Sequence, residues 1–431
     1  MNNSAVTPPS PKPSDTYELV RLGYVARLQN GLTVDAKRDV TGDVVTSPYL
    51  RVANVQAGSL DLESVTEITV PRSVAQRSTL RPGDVLMTEG GDLDKLGRGT
   101  VWQGELDRCL HQNHIFAVRP DAQRLSGRFL AYVTQSLYGR HYFESTGTKT
   151  TNLASTNSSK IQSFPLPLPP LGEQLRIADF LDAETSRLDE LARILVLLIE
   201  RLKEREGVAI ELTLSSASSS SVRLKRLLTV PMSYGANEST EHNRRDWPRY
   251  IRTTDIANDG TLRDETFASL PPDVARNYML SDGDLLFVRS GATVGKSFVY
   301  GSQHGPAAHA GYLIRARVNS NLILPRLIWH FCQTATYWQQ VSEGAIQATI
   351  QNVNAEKYGN LLVPLVDRGK QDSTLAILDS QVAKSRVLQH RAAQFLELLV
   401  ERRQALITAA VTGQFDVSTA SGRNVTDGVT A

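Results

Sequence analysis

Between Gly172 and Leu214 the chain contains no proline, and leucine recurs every seven residues at Leu181, Leu188, Leu195 and Leu202. Leu191, Leu198 and Leu212 each stand three residues after a position of that ladder, although Glu184 and Arg205 interrupt this second row. An apolar repeat of this period predicts one α-helix of roughly 40 residues, ~60 Å long at 1.5 Å per residue. Such a helix cannot bury its own stripe and needs a partner. Its lead-in, Phe164-Pro-Leu-Pro-Leu-Pro-Pro-Leu-Gly-Glu-Gln-Leu, is extended, because each proline fixes φ and biases the residue before it away from helix. A partner lies in the same chain. Gly369 to Thr412 is again free of proline, with Leu375, Val382 and Leu396 on one row and Leu378, Ala392, Leu399 and Leu406 on the next. Ser385, Gln389 and Arg403 weaken that stripe.

The two helical segments also match in sequence, Glu173-Gln174 over Lys370-Gln371 and Phe180-Leu181-Asp182 over Ile377-Leu378-Asp379. The match extends outward as an internal repeat. Tyr49-Leu50-Arg51 corresponds to Tyr250-Ile251-Arg252, and Gly58-Ser59-Leu60 to Gly260-Thr261-Leu262. Leu80-Arg-Pro-Gly83-Asp84-Val-Leu86 corresponds to Leu280-Ser-Asp-Gly283-Asp284-Leu-Leu286, where Gly-Asp predicts a tight turn into a buried strand. Asn157, Lys160 and Pro167 correspond to Asn354, Lys357 and Pro364. By contrast, Gly90 to Thr100 and Ser290 to Ser297 occupy one place with different residues. A duplicated frame with unlike loops is what two readers of different targets on one scaffold look like.

A chain of 431 residues, 41% hydrophobic and 21% charged, holds two or three domains of ordinary core size. Two cysteines far apart, Cys109 and Cys332, and no signal-type N-terminus fit a reducing cytoplasm. No apolar run approaches the ~20 residues of a membrane span. The formal net charge of +2 neither demands nor excludes nucleic acid. Strands are predicted at Tyr49 to Val55, Leu80 to Thr88 and His114 to Arg119, and a helix near Arg128 to Tyr142. Six serines in the seven residues Ser215 to Ser221 predict a flexible break.

Taken together, the proline-rich lead-in at Pro165 to Ile177, the half-repeats around Arg51 and Arg252, the Gly-Asp turns and the closing Glu401-Arg-Arg-Gln-Ala-Leu-Ile-Thr-Ala-Ala-Val-Thr-Gly413 carry a resemblance. From about Tyr17 to Asp416 the chain resembles the DNA-specificity subunit of type I restriction-modification systems. The second copy departs from the lead-in pattern, with Val366-Asp-Arg-Gly-Lys-Gln in place of the prolines. The resemblance implies an α+β chain: two similar α/β target recognition domains separated by two long helices packed as an antiparallel coiled coil, pseudo-twofold symmetric. The corresponding division is a disordered arm (1–14), a first recognition domain (15–166), a central spacer helix (167–214), a serine-rich linker (215–221), a second recognition domain (222–364), a C-terminal spacer helix (365–413) and a loose tail (414–431). It further implies double-stranded DNA as ligand, and two methyltransferase subunits and restriction/translocase subunits as partners. S-adenosylmethionine, ATP and magnesium are expected on those partners, and none on this chain. Two similar heads match the dyad of duplex DNA, so a bipartite asymmetric site is expected, with the helices setting its gap. The charged outer faces of the helices, with Arg193, Glu200, Lys203, Glu204 and Arg205, are the expected docking surface.

Candidate DNA contacts fall in loops. Lys95 and Arg98 stand in one glycine-containing loop, and Arg289, Lys296 and Ser297 in its counterpart, where backbone can approach closely and a cation can meet phosphate or a base edge. Thr148, Lys149, Thr150 and Asn152 precede the return to the scaffold in the first copy, as Thr349, Gln351 and Asn352 do in the second. Arg51 and Arg252 are candidates too; the alternative for each is pairing with a structural carboxylate. Catalytic motifs are missing. Gly291-Ala-Thr-Val-Gly295-Lys296-Ser297 has three residues before Gly-Lys where a nucleotide-binding loop has four, and strand-like Phe298-Val-Tyr follows. His111 and His114, like His304 and His309, lack an accompanying set of metal ligands. There is neither a Glu-x-Lys nor an Asn/Asp-Pro-Pro-Tyr/Phe motif. The rival classes are a coiled-coil adaptor for protein ligands and an enzyme acting alone on DNA.

Overall fold

The computed structural model describes residues 12–33, 42–91, 96–149, 154–239, 242–257, 260–345 and 352–419. It divides into two units, Met1–Leu195 with Gln394–Ala431, and Val196–Ala393. Each unit therefore takes part of each long helix. The expected N-terminal arm lies largely outside the described residues, but its end is fixed. Ser14 N donates to Thr412 O at 2.7 Å, and Gln414 Nε2 donates to Lys12 O at 3.0 Å. The expected tail begins with a fold-back, since Phe415 packs against Phe180 with ring centroids 5.6 Å apart; beyond residue 419 it is outside the described residues.

In the first unit an antiparallel sheet runs Ala26–Asn30, Ile115–Pro120, Val85–Thr88, Gly99–Val101. All four residues of Val85–Thr88 are buried, as expected for a central strand covered on both faces. Helices Gly127–Gln135 and Leu137–Thr146 accompany this sheet. The single helix expected near Arg128 to Tyr142 is thus two. Ser136 adopts extended backbone, donates from Oγ to Val133 O and accepts from Gly139 N, so it closes one helix and caps the next. A second sheet joins Val44–Leu50 to Thr66–Pro71 and, in parallel, to Leu110–His111. A ribbon pairs Glu18–Arg21 with Pro165–Leu168, the proline-rich lead-in. Proline is tolerated there because the ribbon has only two strands, each with a free edge.

The second unit repeats this course. Its main sheet runs Ser233–Tyr234, Leu313–Ala316, Leu285–Val288, Ser297–Val299. Arg249–Ile251 pairs in parallel with Ala307–His309, and helices Pro325–Phe331 and Ala335–Ala345 follow. The serine run is no linker. Its first residues end the long helix and Ser218–Arg223 forms a strand against Leu362–Val366. The ribbon tolerates serines because Val363 and Val366 of the other strand supply the buried surface.

Buried polar groups repeat as strictly as the strands do. Asp84 is held bidentately by Arg119 and accepts from Arg81 N; Asp284 is held likewise by Arg317 and accepts from Ser281 N. Gly83 and Gly283, at φ 92° and 80°, make the turns that aim these carboxylates inward. Gln174 accepts from Ser126 N and donates to Arg124 O and Pro169 O, while Gln371 accepts from Leu324 N and donates to Leu322 O and Val366 O. Asn157 and Asn354 cap short helices through Lys160 N and Lys357 N. Asp182 binds Arg128 and Tyr132, and Asp379 binds Arg326 and His330, so helices Gly127–Gln135 and Pro325–Phe331 are each tied to a long helix by a carboxylate of equivalent position.

The long helices span Leu171–Ala217 and Gln371–Val411, 47 and 41 residues. In the first unit Leu181 and Leu188 share a core with Leu399 and Leu406, and Arg403 pairs with Asp189 at 3.0 Å. In the second, Ile210 and Leu214 share a core with Leu378 and Val382, and Gln389 reaches Glu206 at 3.0 Å while Gln381 meets Thr213 at 3.4 Å. Higher numbers on one helix meet lower numbers on the other, so the pairing within this unit is antiparallel. The leucine ladder faces inward as expected, but the second row is corrected. Leu191, Leu198 and Leu212 are 42%, 45% and 66% exposed. The row four residues after the ladder, Thr185, Ala192, Ile199, Glu206 and Thr213, is the less exposed one. Polar Ser385, Gln389 and Arg403 are accommodated through hydrogen bonds or ion pairs.

Candidate nucleic-acid interface

Two loop groups nominated by sequence meet in each unit. In the first, Gly90–Gly91 pairs with Ala154–Ser155, which pairs in turn with Thr148–Lys149, and Thr156 N donates to Glu89 O at 2.7 Å. In the second, Ser290 bridges Asn352 and Val353 N donates to Arg289 O at 2.8 Å. One further bond completes the frame on each side: Glu89 N to His114 O at 2.9 Å, and Arg289 N to Tyr312 O at 3.0 Å. The first strand of each main sheet ends beside it. Asn30 pairs with Phe116, opposite Met87, and Tyr234 pairs with Ile314, opposite Phe287. Both strands then close on a glycine, Gly31 or Gly235. A Cβ there would lie 2.1 Å from Gln112 O or His309 O, so only glycine allows this approach.

The result is a rim of four equivalent positions with unlike chemistry. The first unit presents Asn30, Glu89, His114 and Ser155; the second presents Tyr234, Arg289, Tyr312 and Asn352. Glu89 Oε2 and His114 Nδ1 are 2.5 Å apart. The Arg289 guanidinium lies 4.8 Å over the Tyr234 ring, whose hydroxyl accepts from Ala355 N. Arg289 Nε has no hydrogen-bond partner among the described residues. Tyr234 and Tyr312 are 42% and 62% exposed.

Other candidates are placed differently. Lys296 is half-buried and donates to Ile256 O at 2.6 Å, while Ser297 is buried in a strand near Gln333 and is not offered to solvent as a loop residue. Arg252 forms an ion pair with buried Asp255 and also binds Thr266 O, which is the structural alternative. Arg51 is exposed, its N–H capped by Asn54, the counterpart of Asp255. Thr148 is exposed and accepts from Lys160 Nζ at 2.9 Å, and Arg98 is half-buried. Lys95, Thr150, Asn152, Thr349 and Gln351, with the side chain of Lys149, lie outside the described residues. Sequence reading missed Asn30, Glu89, His114, Ser155, Tyr234 and Tyr312. The recurrence of glycine after Asn30 and after Tyr234 was the available signal.

The histidines are structural or exposed, and among the described residues no cluster of ligands suits a metal ion. Buried His111 donates from Nδ1 to Ile115 O, and burial pushes its pKa from the usual 6.5 down to about 4. Protonation therefore opposes folding. The first unit should be fully stable above about pH 6.5 and lose stability as pH falls towards 4. His111→Gln should flatten that slope in urea melts at pH 7, 5.5 and 4.5; an unchanged slope refutes the assignment. Burial also pushes the Cys109 and Cys332 thiols up to about 12, which leaves both unreactive. No described helix is long and apolar enough to cross a membrane.

Residues 14–197 match the family profile of the type I restriction modification DNA specificity domain. The chain is 24% identical over 346 residues to the StySPI type I restriction enzyme specificity subunit of Salmonella potsdam, covering 75% of this chain and 73% of that one. It is 24% identical over 155 residues to the MjaX type I specificity subunit of Methanocaldococcus jannaschii, a match spanning about a third (36%) of either protein. Its fold matches a chain solved in a study of complex assembly and conformational transition of the type I R-M system, with TM-score 0.72 and 18% identity over 94% of this chain and 100% of that one. Family profile and curated relatives point the same way, and the chain is similar to the DNA-specificity subunits of type I restriction-modification systems.

Proposed function

We propose that this chain is the sequence-reading subunit of a type I restriction-modification complex. It recognises a bipartite, asymmetric DNA site, one half per unit, and performs no chemistry itself. One observation supports this most directly: a single topology occurs twice, down to its buried ion pairs and caps, while the rim positions carry unlike side chains. A conserved frame with exchanged contacts is suited to reading two unrelated half-sites. The 47-residue helix, ~70 Å at 1.5 Å per residue, serves as the spacer between them. Methyltransferase subunits carrying S-adenosylmethionine modify adenine in each half, and translocating restriction subunits use ATP and magnesium, in the cytoplasm. Co-expression with the modification subunit, followed by genome-wide mapping of modified adenines, tests the reading. A two-part motif with a fixed gap is expected; a continuous motif, or none, overturns it.

The docking surface for those subunits is better placed on exposed apolar residues than on the charged faces expected from sequence. In the first unit Leu191 and Ile194 are 42% and 47% exposed, and Phe395 and Leu398 are 59% and 58% exposed. Exposed large apolar side chains on these helices suit an interaction site. Replacing Leu191 and Ile194 with Glu should weaken co-purification of the modification subunit roughly a hundredfold, at about 1.5 kcal/mol or more per aliphatic contact. Unchanged co-purification places docking elsewhere.

A further inference from the structure

We propose that Arg289 reads a guanine in the half-site of the second unit, and that position 89 of the first unit, the same point on the duplicated scaffold, makes an acidic and therefore different reading there. This rests on the specificity-subunit function proposed above and names the chemistry of its contacts. The backbone at 89 and 289 is fixed by matched bonds, from its N–H to the carbonyl of His114 or Tyr312, and to its carbonyl from Thr156 N or Val353 N. The two side chains thus leave one frame at one point, and their difference is chemical.

Arg289 has the features of a base reader. Its guanidinium lies over Tyr234, which fixes the plane of the fork without consuming its terminal donors. A planar fork held this way matches guanine O6 and N7 bidentately. Exposed Tyr312 and Asn352 flank it, one through the Arg289 N bond and the other through the Ser290 bridge. In the first unit Glu89 is an acceptor, able to take the cytosine amino group, and His114 beside it is the neighbouring donor. A carboxylate at this point repels phosphate, so a backbone contact cannot be its role.

The test uses the whole complex with its modification subunit, and maps modified motifs for the natural chain, Arg289→Gln, Arg289→Lys and Glu89→Gln. Arg289→Gln should relax one guanine position in one half-site, lowering discrimination there about ten- to a hundredfold, and leave the other half unchanged. Glu89→Gln should relax only the other half. Lysine should not restore discrimination, because it lacks the fork. A uniform loss of modification with the motif intact, rescued by Lys, marks a phosphate contact and overturns the proposal. Unaltered motifs in all three variants overturn it too. Should Arg289→Gln misfold, Arg289→Lys and Glu89→Gln still decide. Lack of any bipartite motif for the natural chain sinks the functional reading itself, a separate outcome.

Discussion

Removing seven residues from each long helix, 199–205 and 387–393, should shorten the gap of the DNA site by about three base pairs and leave both half-sites as they were. Seven residues are two turns, ~10.5 Å of helix at 1.5 Å per residue, and a base pair rises ~3.4 Å. A heptad also returns the apolar seam to nearly the same face, drifting only about 20°. The deletion must be matched because the helices pair antiparallel: shortening the first alone would slip Glu206 past Gln389 and Thr213 past Gln381. Mapping modified adenines for the shortened chain reads the gap directly. An unaltered gap refutes the spacer role while leaving DNA recognition by the two units intact.

Truncating either buried aspartate should cost about 3 kcal/mol, with Asp284→Ala acting on the second unit and Asp84→Ala on the first. Each carboxylate is 1% exposed, whereas its arginine is 32% exposed at Arg317 and 27% at Arg119. The orphaned guanidinium can therefore partly reach water, which keeps the loss towards the low end of the range for a broken buried pair. Ser281 N or Arg81 N also loses its acceptor. For a unit of this size the loss lowers the melting midpoint by roughly 10 °C. Calorimetry on the two variants should show one transition displaced in each, and motif mapping should show the matching half-site degraded. Equal stability in the natural and truncated chains would mean the pair is not needed to seat the turn.

Much of the frame was legible because its determinants are local in sequence. Gly83-Asp84 and Gly283-Asp284 announce turns, Gln174 and Gln371 stand at the same point of each helix start, and the leucine ladder of Leu181 and Leu188 does face the core. The second row misled because counting leucines measures hydrophobicity and not which face meets the partner helix. Thr185 and Ala192 take the less exposed positions, while Leu191 and Leu198 point outward. The serine run misled in the opposite sense. Its strand is set by pairing with Leu362–Val366, residues far away in the chain. Ser297 looked like a loop residue because glycines precede it, but it begins a strand of the main sheet.

The amino-acid order by itself determined that this protein has two copies of one α/β frame and two long helices, because periodicity, turn chemistry and repetition are properties of neighbouring residues. Only the tertiary structure decided which side chains share a rim. Asn30, Glu89, His114 and Ser155 in one unit, and Tyr234, Arg289, Tyr312 and Asn352 in the other, come together through hydrogen bonds between strands distant in sequence. No local pattern encodes such a meeting, since the strands that bring those residues together are chosen by burial across the whole sheet.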